Sequence, residues 1–349
     1  RLQGDWSSDV CSSDLAAAEA APAPVSETAA FRRRTAMQRL GALASAALFI
    51  MALVVLYLVI SELDFDEVKA VFGRTSREQL LMALGLTVLS YLMLTGYDAL
   101  ALWQLAKGQV RYRLTALASF TSFAVSFTLG FPLITAATVR YWVYSAVGLG
   151  PGVIASLTLI AGLTFWLGMS VVLGLVMIAQ PFATSVFTRL PAQVNGYVGF
   201  AILSAIFLYT VWIAARPRHI RIQGWTLHLP RLRVSLLQML LGAVDVCAAC
   251  GVLYVLLPAG HGVPFAAMVA AFVFACVLGI ASHAPGGIGV FEATLLLALP
   301  GIPKEALLGS ILMYRLCYYV LPFIAAIWLL GLREIWLRAR RLRSEISGS

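Results

Sequence analysis

From residue 40 to residue 331 the chain is a succession of apolar blocks joined by short polar segments. It shows little of the two-residue alternation that marks a half-buried strand. Blocks of about 20 apolar residues match the hydrocarbon thickness of a bilayer. Six read as single crossings: 40–61, 79–103, 152–179, 196–215, 234–258 and 306–331. Two more, 114–147 and 264–300, are too long for one crossing and are interrupted by Pro132 and Pro285. Proline lacks an N–H and clashes with the preceding helical turn, so each of these regions is expected to form an up-and-down pair of segments, fully spanning or re-entrant. The predicted fold is an all-α polytopic membrane protein with about 8–10 membrane helical segments, two broken pairs among them. One polar stretch does alternate, IRIQGWTLHLPRL (220–232), and it reads as a small cytoplasmic hairpin.

Composition changes the picture only by closing alternatives. With 61% hydrophobic and 12% charged residues the chain is far from a soluble domain, which carries about 25% charged residues. The net charge of +9 invites an anionic partner, but its distribution gives another reason for it. With the N-terminus inside, 17 of the 25 Lys and Arg fall on the cytoplasmic flanks: Arg32–Arg39, Lys107–Arg113, 216–233 and 333–343. The opposite side receives Lys69, Arg74, Arg77, Arg189 and Lys304. This is the positive-inside pattern, and it holds only if each broken region crosses as a pair, which puts both termini in the cytoplasm. Direct nucleic-acid binding is not expected; attraction of anionic lipid headgroups is.

Other features carry less. GDWSSDVCSSDL (4–15) resembles the in-frame translation of a sequencing-adapter oligonucleotide, so residues 1–15 are expected to be an assembly artefact. Residues 16–37 read as a disordered Ala/Pro leader, 38–340 as the integral membrane domain and 341–349 as a short cytoplasmic tail. The acidic segment 62–78 reads as a solvated external element. Cys247 and Cys250 spell a CxxC inside a span, where they pack as small hydrophobes. No metal or cofactor constellation is expected from His219, His228, His261 and His283, and no nucleophile elbow, zinc motif or phosphate loop appears.

A shift of 153 positions brings Pro132 onto Pro285, Gly148-Leu149 onto Gly301-Ile302 and Phe165-Trp166 onto Tyr318-Tyr319, with Arg140 landing beside Glu292. The first broken region enters from the cytoplasm and the second from outside. An inverted repeat is therefore expected, and discontinuous segments at matching places in two halves point to a transport site.

Ionisable side chains within spans are costly, about 2.5–3.5 kcal/mol at a span centre, and so are functional candidates. They are Asp98, Arg140, Asp245, Glu292 and Arg315, with His283 at the second break. Each also has a plainer reading: Asp98 near an interface, the two arginines snorkelling beside interfacial tyrosines, Asp245 satisfying nearby serine or backbone groups. Glu292 has the most telling context. The run Pro285, Gly286, Gly287 and Gly289 frees backbone donors before a helix expected to start near Ile288, and a helix N-terminus suits phosphate or carboxylate. Glu292 lies a turn inside it, placed to face a cation or to pair with Arg140. A zwitterionic or cationic phospholipid headgroup carries the complementary charges.

SHAPGGIGVFEA, with GYDALAL, ASFTSFAVSFTLGFPLITAATVRYWVY and LTFWLG, resembles the membrane region of bacterial lysylphosphatidylglycerol synthases and their stand-alone relatives, over roughly residues 38–340. The resemblance implies a bacterial inner-membrane domain that translocates lysylphosphatidylglycerol or a related phospholipid between leaflets and so contributes to resistance against cationic antimicrobial peptides. It implies that Arg140 and Glu292, with Asp98 and Arg315, handle the headgroup; Asp245 and His283 are weaker candidates. It also implies a partner, an aminoacyl-transferase domain in the same protein or a separate enzyme, and it admits a homo-oligomer. The family's transferase is a soluble domain after the membrane region, and this chain stops at RLRSEISGS (341–349), so a stand-alone relative and a truncated bifunctional protein both stay open. Two other functions stay open beside translocation of lipid: transport of a different solute, and a membrane anchor for a lipid-modifying enzyme.

Overall fold

A computed structural model describes residues 73, 75–129, 132–215, 219–222, 225–228, 232–282 and 285–347. The adapter-like segment, the leader, the span at 40–61, most of 62–78 and His283 lie outside the described residues. Eleven helices follow one another among them: α1 (Arg77–Leu105), α2 (Tyr112–Leu129), α3 (Pro132–Ser145), α4 (Pro151–Ala179), α5 (Pro181–Thr188), α6 (Ala192–Ala215), α7 (Leu232–Leu256), α8 (Phe265–Ala281), α9 (Val290–Ala298), α10 (Lys304–Arg315) and α11 (Leu321–Ser347). A five-residue π segment, Leu316–Val320, joins α10 to α11 without a break. The alternating stretch forms an antiparallel ribbon between α6 and α7, β1 (His219–Ile222) with β2 (Trp225–His228), in register Ile222↔Trp225 to His219↔His228.

Five of these runs are long and apolar enough to cross a membrane: α1, α4, α6, α7 and the joined α10–α11 up to Trp336. The 29 residues of α1 and of α4 rise about 44 Å, ample for a core of about 30 Å. The nine residues of α9 rise only about 13 Å and do not cross alone. The chain is a multi-pass helical membrane protein.

Local chemistry sets the ends. Ser76 caps α1 through its hydroxyl, which accepts from the Gln79 amide at 3.1 Å, while the Gln79 side chain accepts from the Ser76 amide at 3.0 Å. The same Gln79 donates to the Val255 and Leu257 carbonyls at the end of α7. It thereby satisfies carbonyls that a helix terminus leaves without partners and ties α1 to α7, the pair in most extensive contact. The buried hydroxyls of α2 mostly serve their own helix: Ser122 donates to Ala118 O and Ser126 to Ser122 O, both at 2.5 Å. Ser119 instead crosses to the Leu94 carbonyl of α1 at 2.8 Å.

Helix α4 meets α7 at Gly168 and Gly242, where a Cβ on Gly168 would stand 2.3 Å from the Gly242 Cα. Small residues of this kind let membrane helices approach backbone to backbone. The outer face of α6 carries Tyr197, Phe200, Phe207 and Leu208, each at least 65% exposed. In hydrocarbon such a face is solvated by lipid tails and needs no protein cover.

Candidate functional site

The costly side chains gather into three centres that share one aromatic layer. In the first, Asp98 of α1 and Arg140 of α3 form a two-pronged ion pair: Arg140 Nη2 donates to Oδ1 at 2.7 Å and Nε to Oδ2 at 2.9 Å. Tyr144, one turn after Arg140, lies with its hydroxyl 3.4 Å from Oδ2, and the guanidinium sits 4.9 Å from the Phe123 ring centre. Both charged groups are sealed, at 0% and 1% exposure. Arg140 therefore does not extend to water, and Asp98 is enclosed by protein. Arginine's rigid planar fork suits this bidentate geometry.

The second centre is Asp245 of α7. Its Oδ1 accepts from the Ser90 hydroxyl at 2.5 Å and its Oδ2 from the Tyr97 hydroxyl at 2.9 Å. Ser90 also bonds the Tyr318 hydroxyl, 2.8 Å away. Tyr318, expected among interfacial tyrosines, is instead 4% exposed and inside this cluster.

The third centre lies at the second break. Gly286, Gly287 and Gly289 hold φ of +58°, +66° and +84°, a region that side chains other than glycine's enter only at a cost. Three such residues within four positions make a turn that ends one chain direction and starts α9 at Val290, two residues later than expected. Glu292 caps that start by accepting from the Gly289 amide at 2.7 Å. Arg315 donates from Nε to Glu292 Oε1 at 2.6 Å, makes a second close contact from Nη2, and donates from Nη1 to the Gly286 carbonyl at 3.3 Å. Each side chain is 19% exposed. The turn abuts the end of α2: a Cβ on Gly286 would meet the Phe127 carbonyl at 3.6 Å.

The expected pairing of Glu292 with Arg140 is not what forms. Arg140 belongs to Asp98 and Glu292 to Arg315. The sequence places four charges in apolar segments, but it does not say which two meet across helices. The layer between the centres also went unread. Tyr97 and Phe123 pack edge to face at 6.0 Å, linking Asp245 to Arg140. Tyr318 stacks on Tyr314 at 5.4 Å and on Phe127 at 6.2 Å, and Tyr314 stacks on Phe291 beside Glu292 at 5.8 Å. The Tyr319 ring centre lies 5.7 Å from the Arg315 guanidinium. The only hint in the sequence was the tyrosine run after Arg315; the π segment that turns Tyr318 and Tyr319 to their partners has no compositional mark, though such segments recur at functional sites. Cys250 is buried as expected, and Cys247 is partly so. Among the described residues no group of three or more His, Cys, Asp or Glu could hold a metal.

Sealed charges, a partly exposed charge pair at a glycine turn and a buried aromatic layer make a polar interior within a helical membrane protein, and known proteins are similar to it in sequence. The description "Lysylphosphatidylglycerol synthase TM region" matches residues 42–326. The Synechocystis protein slr0712 is 32% identical over 320 residues, spanning 90% of this chain and 99% of that protein. The inner membrane protein YbhN of Escherichia coli is 31% identical over 306 residues, 85% of this chain and 93% of its own length. A phosphatidylglycerol lysyltransferase of Staphylococcus aureus is 28% identical over 288 residues, 80% of this chain but 32% of the enzyme. With nearly the whole helical region covered, every break and charged centre included, this chain belongs to the family of lysylphosphatidylglycerol synthase transmembrane regions.

Proposed function

We propose that this domain moves lysylphosphatidylglycerol, or a phospholipid of similar headgroup, between the leaflets of a bacterial inner membrane, with both termini cytoplasmic, and so lowers susceptibility to cationic antimicrobial peptides. The observation that carries the reading is the Glu292–Arg315 pair, 19% exposed at a glycine turn while Asp98–Arg140 is sealed. A lysyl headgroup presents an ammonium and a phosphate diester. Glu292 takes the ammonium and Arg315 the phosphate, so opening one internal pair yields two pairs with the lipid. Charge-assisted hydrogen bonds of this type are about twice as strong as neutral ones. Helix breaks at membrane depth persist only where protein or a water-filled cavity shelters them; in this reading the α2–α3 and α8–α9 breaks line one such path, as two halves of an inverted repeat. Asp98 and Arg140 hold α3 in place and do not touch the headgroup.

The test is leaflet transfer of lysylphosphatidylglycerol in proteoliposomes. Glu292→Gln and Arg315→Gln are each expected to slow transfer about 10- to 100-fold, the loss of one hydrogen bond to a charge, about 1.5–3 kcal/mol, while leaving the melting temperature nearly unchanged. Parent protein that transfers no faster than empty liposomes would remove the reading in favour of a membrane anchor or a carrier of another solute.

A further inference from the structure

Of the acids singled out in the apolar segments, Asp98 and Glu292 each have a guanidinium partner. Asp245 has none among the described residues, although it is 3% exposed. A carboxylate withdrawn from water without a counter-charge is expensive, and such a group avoids the cost by taking up a proton. What surrounds Asp245 fits that outcome. From α1 come the Ser90 and Tyr97 hydroxyls at its two oxygens, with Tyr91 near. From the π segment comes Tyr318, through Ser90. Helix α8 contributes the Cys276 thiol and α7 itself Cys247. The packed face of α4 carries no titratable side chain. Among the described residues these neighbours are hydroxyls and thiols, neutral near pH 7, and Arg315 of α10 is engaged by Glu292.

We propose that Asp245 is a proton-binding site of the membrane domain, and that its occupancy sets the donor direction of the Asp245–Ser90–Tyr318 chain. The hydroxyl bookkeeping is closed. With Asp245 ionised, Ser90 donates to Oδ1 and Tyr318 must donate to Ser90 Oγ. When a proton from the aqueous phase binds Oδ1, that O–H donates to Ser90 Oγ, Ser90 turns its own proton to the Tyr318 oxygen, and the Tyr318 hydroxyl proton is released to point elsewhere. No heavy-atom bond changes; one proton is gained and two hydroxyls rotate. Tyr318 precedes Tyr319, whose ring lies under Arg315, and both sit in the π segment that follows Arg315 directly. The reversal therefore occurs within one helical turn of Arg315 and its ion pair. The domain thereby has a route to proton coupling, whatever solute it carries.

The test needs no transported solute. Infrared difference spectra of the purified chain, titrated between about pH 5 and about pH 9, a range reaching documented buried carboxyls, should show a carboxylic-acid carbonyl band that persists at neutral pH. The band should vanish in Asp245→Asn and shift in frequency in Ser90→Ala, which removes the bond at Oδ1, and in Tyr318→Phe, which removes the partner of the Ser90 hydroxyl; both keep the acid. If Asp245→Asn does not yield folded protein, the shifts in Ser90→Ala and Tyr318→Phe decide. Absence of the band in the parent, its persistence in Asp245→Asn, or a band whose titration moves with added sodium chloride, which marks a metal-cation site, would each overturn the proposal.

Discussion

Arg140→Ala is expected to cost the domain about 3–5 kcal/mol, the usual result of stripping one partner from a buried ion pair. The reason is the seal: Asp98 and Arg140 are 0% and 1% exposed, so no water reaches the carboxylate left behind. Its remaining contacts are weak, a Tyr144 hydroxyl at 3.4 Å. Helix α3 would be hit hardest, because Arg140 joins it to α1 and packs on Phe123 of α2. Thermal unfolding in detergent, followed by loss of monodisperse protein, measures the effect. The double variant Asp98→Leu, Arg140→Met should recover most of the loss, since an apolar pair of similar volume often replaces a buried ion pair at no cost. If Arg140→Ala melts like the parent, the pair is not a clasp. The contrast with Glu292→Gln matters: that carboxylate is 19% exposed, so its loss should slow transfer while sparing stability. The two ion pairs are thus separable in one experiment.

The second large effect concerns the α4–α7 crossing. Gly168→Ala is expected to destabilise the domain by at least about 1–3 kcal/mol, the range for inserting a methyl into a filled interior. Its Cβ would lie 2.3 Å from the Gly242 Cα, 2.4 Å from the Gly242 carbonyl carbon and 2.8 Å from the Ala243 nitrogen. All three are backbone atoms, so no side chain can swing aside; the helices must separate. Separation would loosen the nearby Gln238 Nε2 bond to Thr164 Oγ1, 2.9 Å in a buried site. Gly162→Ala, on the same helix with nothing within 4 Å of its Cβ, is the internal control and should match or slightly exceed the parent, since alanine is favoured over glycine by about 1 kcal/mol in a helix. Paired melting curves settle it: equal curves for the two variants would mean that the crossing relaxes freely.

Much of the architecture is legible in the sequence. The spans at 79–103, 152–179, 196–215 and 234–258 differ from α1, α4, α6 and α7 by a few residues at each end, because insertion into hydrocarbon depends on local apolar content. Pro132 is the first residue of α3 and Pro285 the first of the short turn before α9. The ribbon between α6 and α7 follows from alternation alone. The candidate residues were legible for the same local reason, since a charge inside a span is costly wherever it sits. Tyr318 was misjudged because a tyrosine beside a membrane arginine is ambiguous until its neighbours are known; burial at 4% resolves it.

The sequence by itself determined that this protein lives in a membrane, which described segments are long and apolar enough to cross it, and which ionisable side chains those apolar segments carry. Those are properties of single residues and short windows, and desolvation acts on them one at a time. Only the tertiary structure decided the partnerships: Asp98 with Arg140, 42 residues apart, Glu292 with Arg315, 23 apart, and Asp245 with Ser90, 155 apart. Pairing energy depends on distance and direction across packed helices, and those are set by contacts such as Gly168 on Gly242 and by the π segment that orients Tyr318. No window of sequence contains that information.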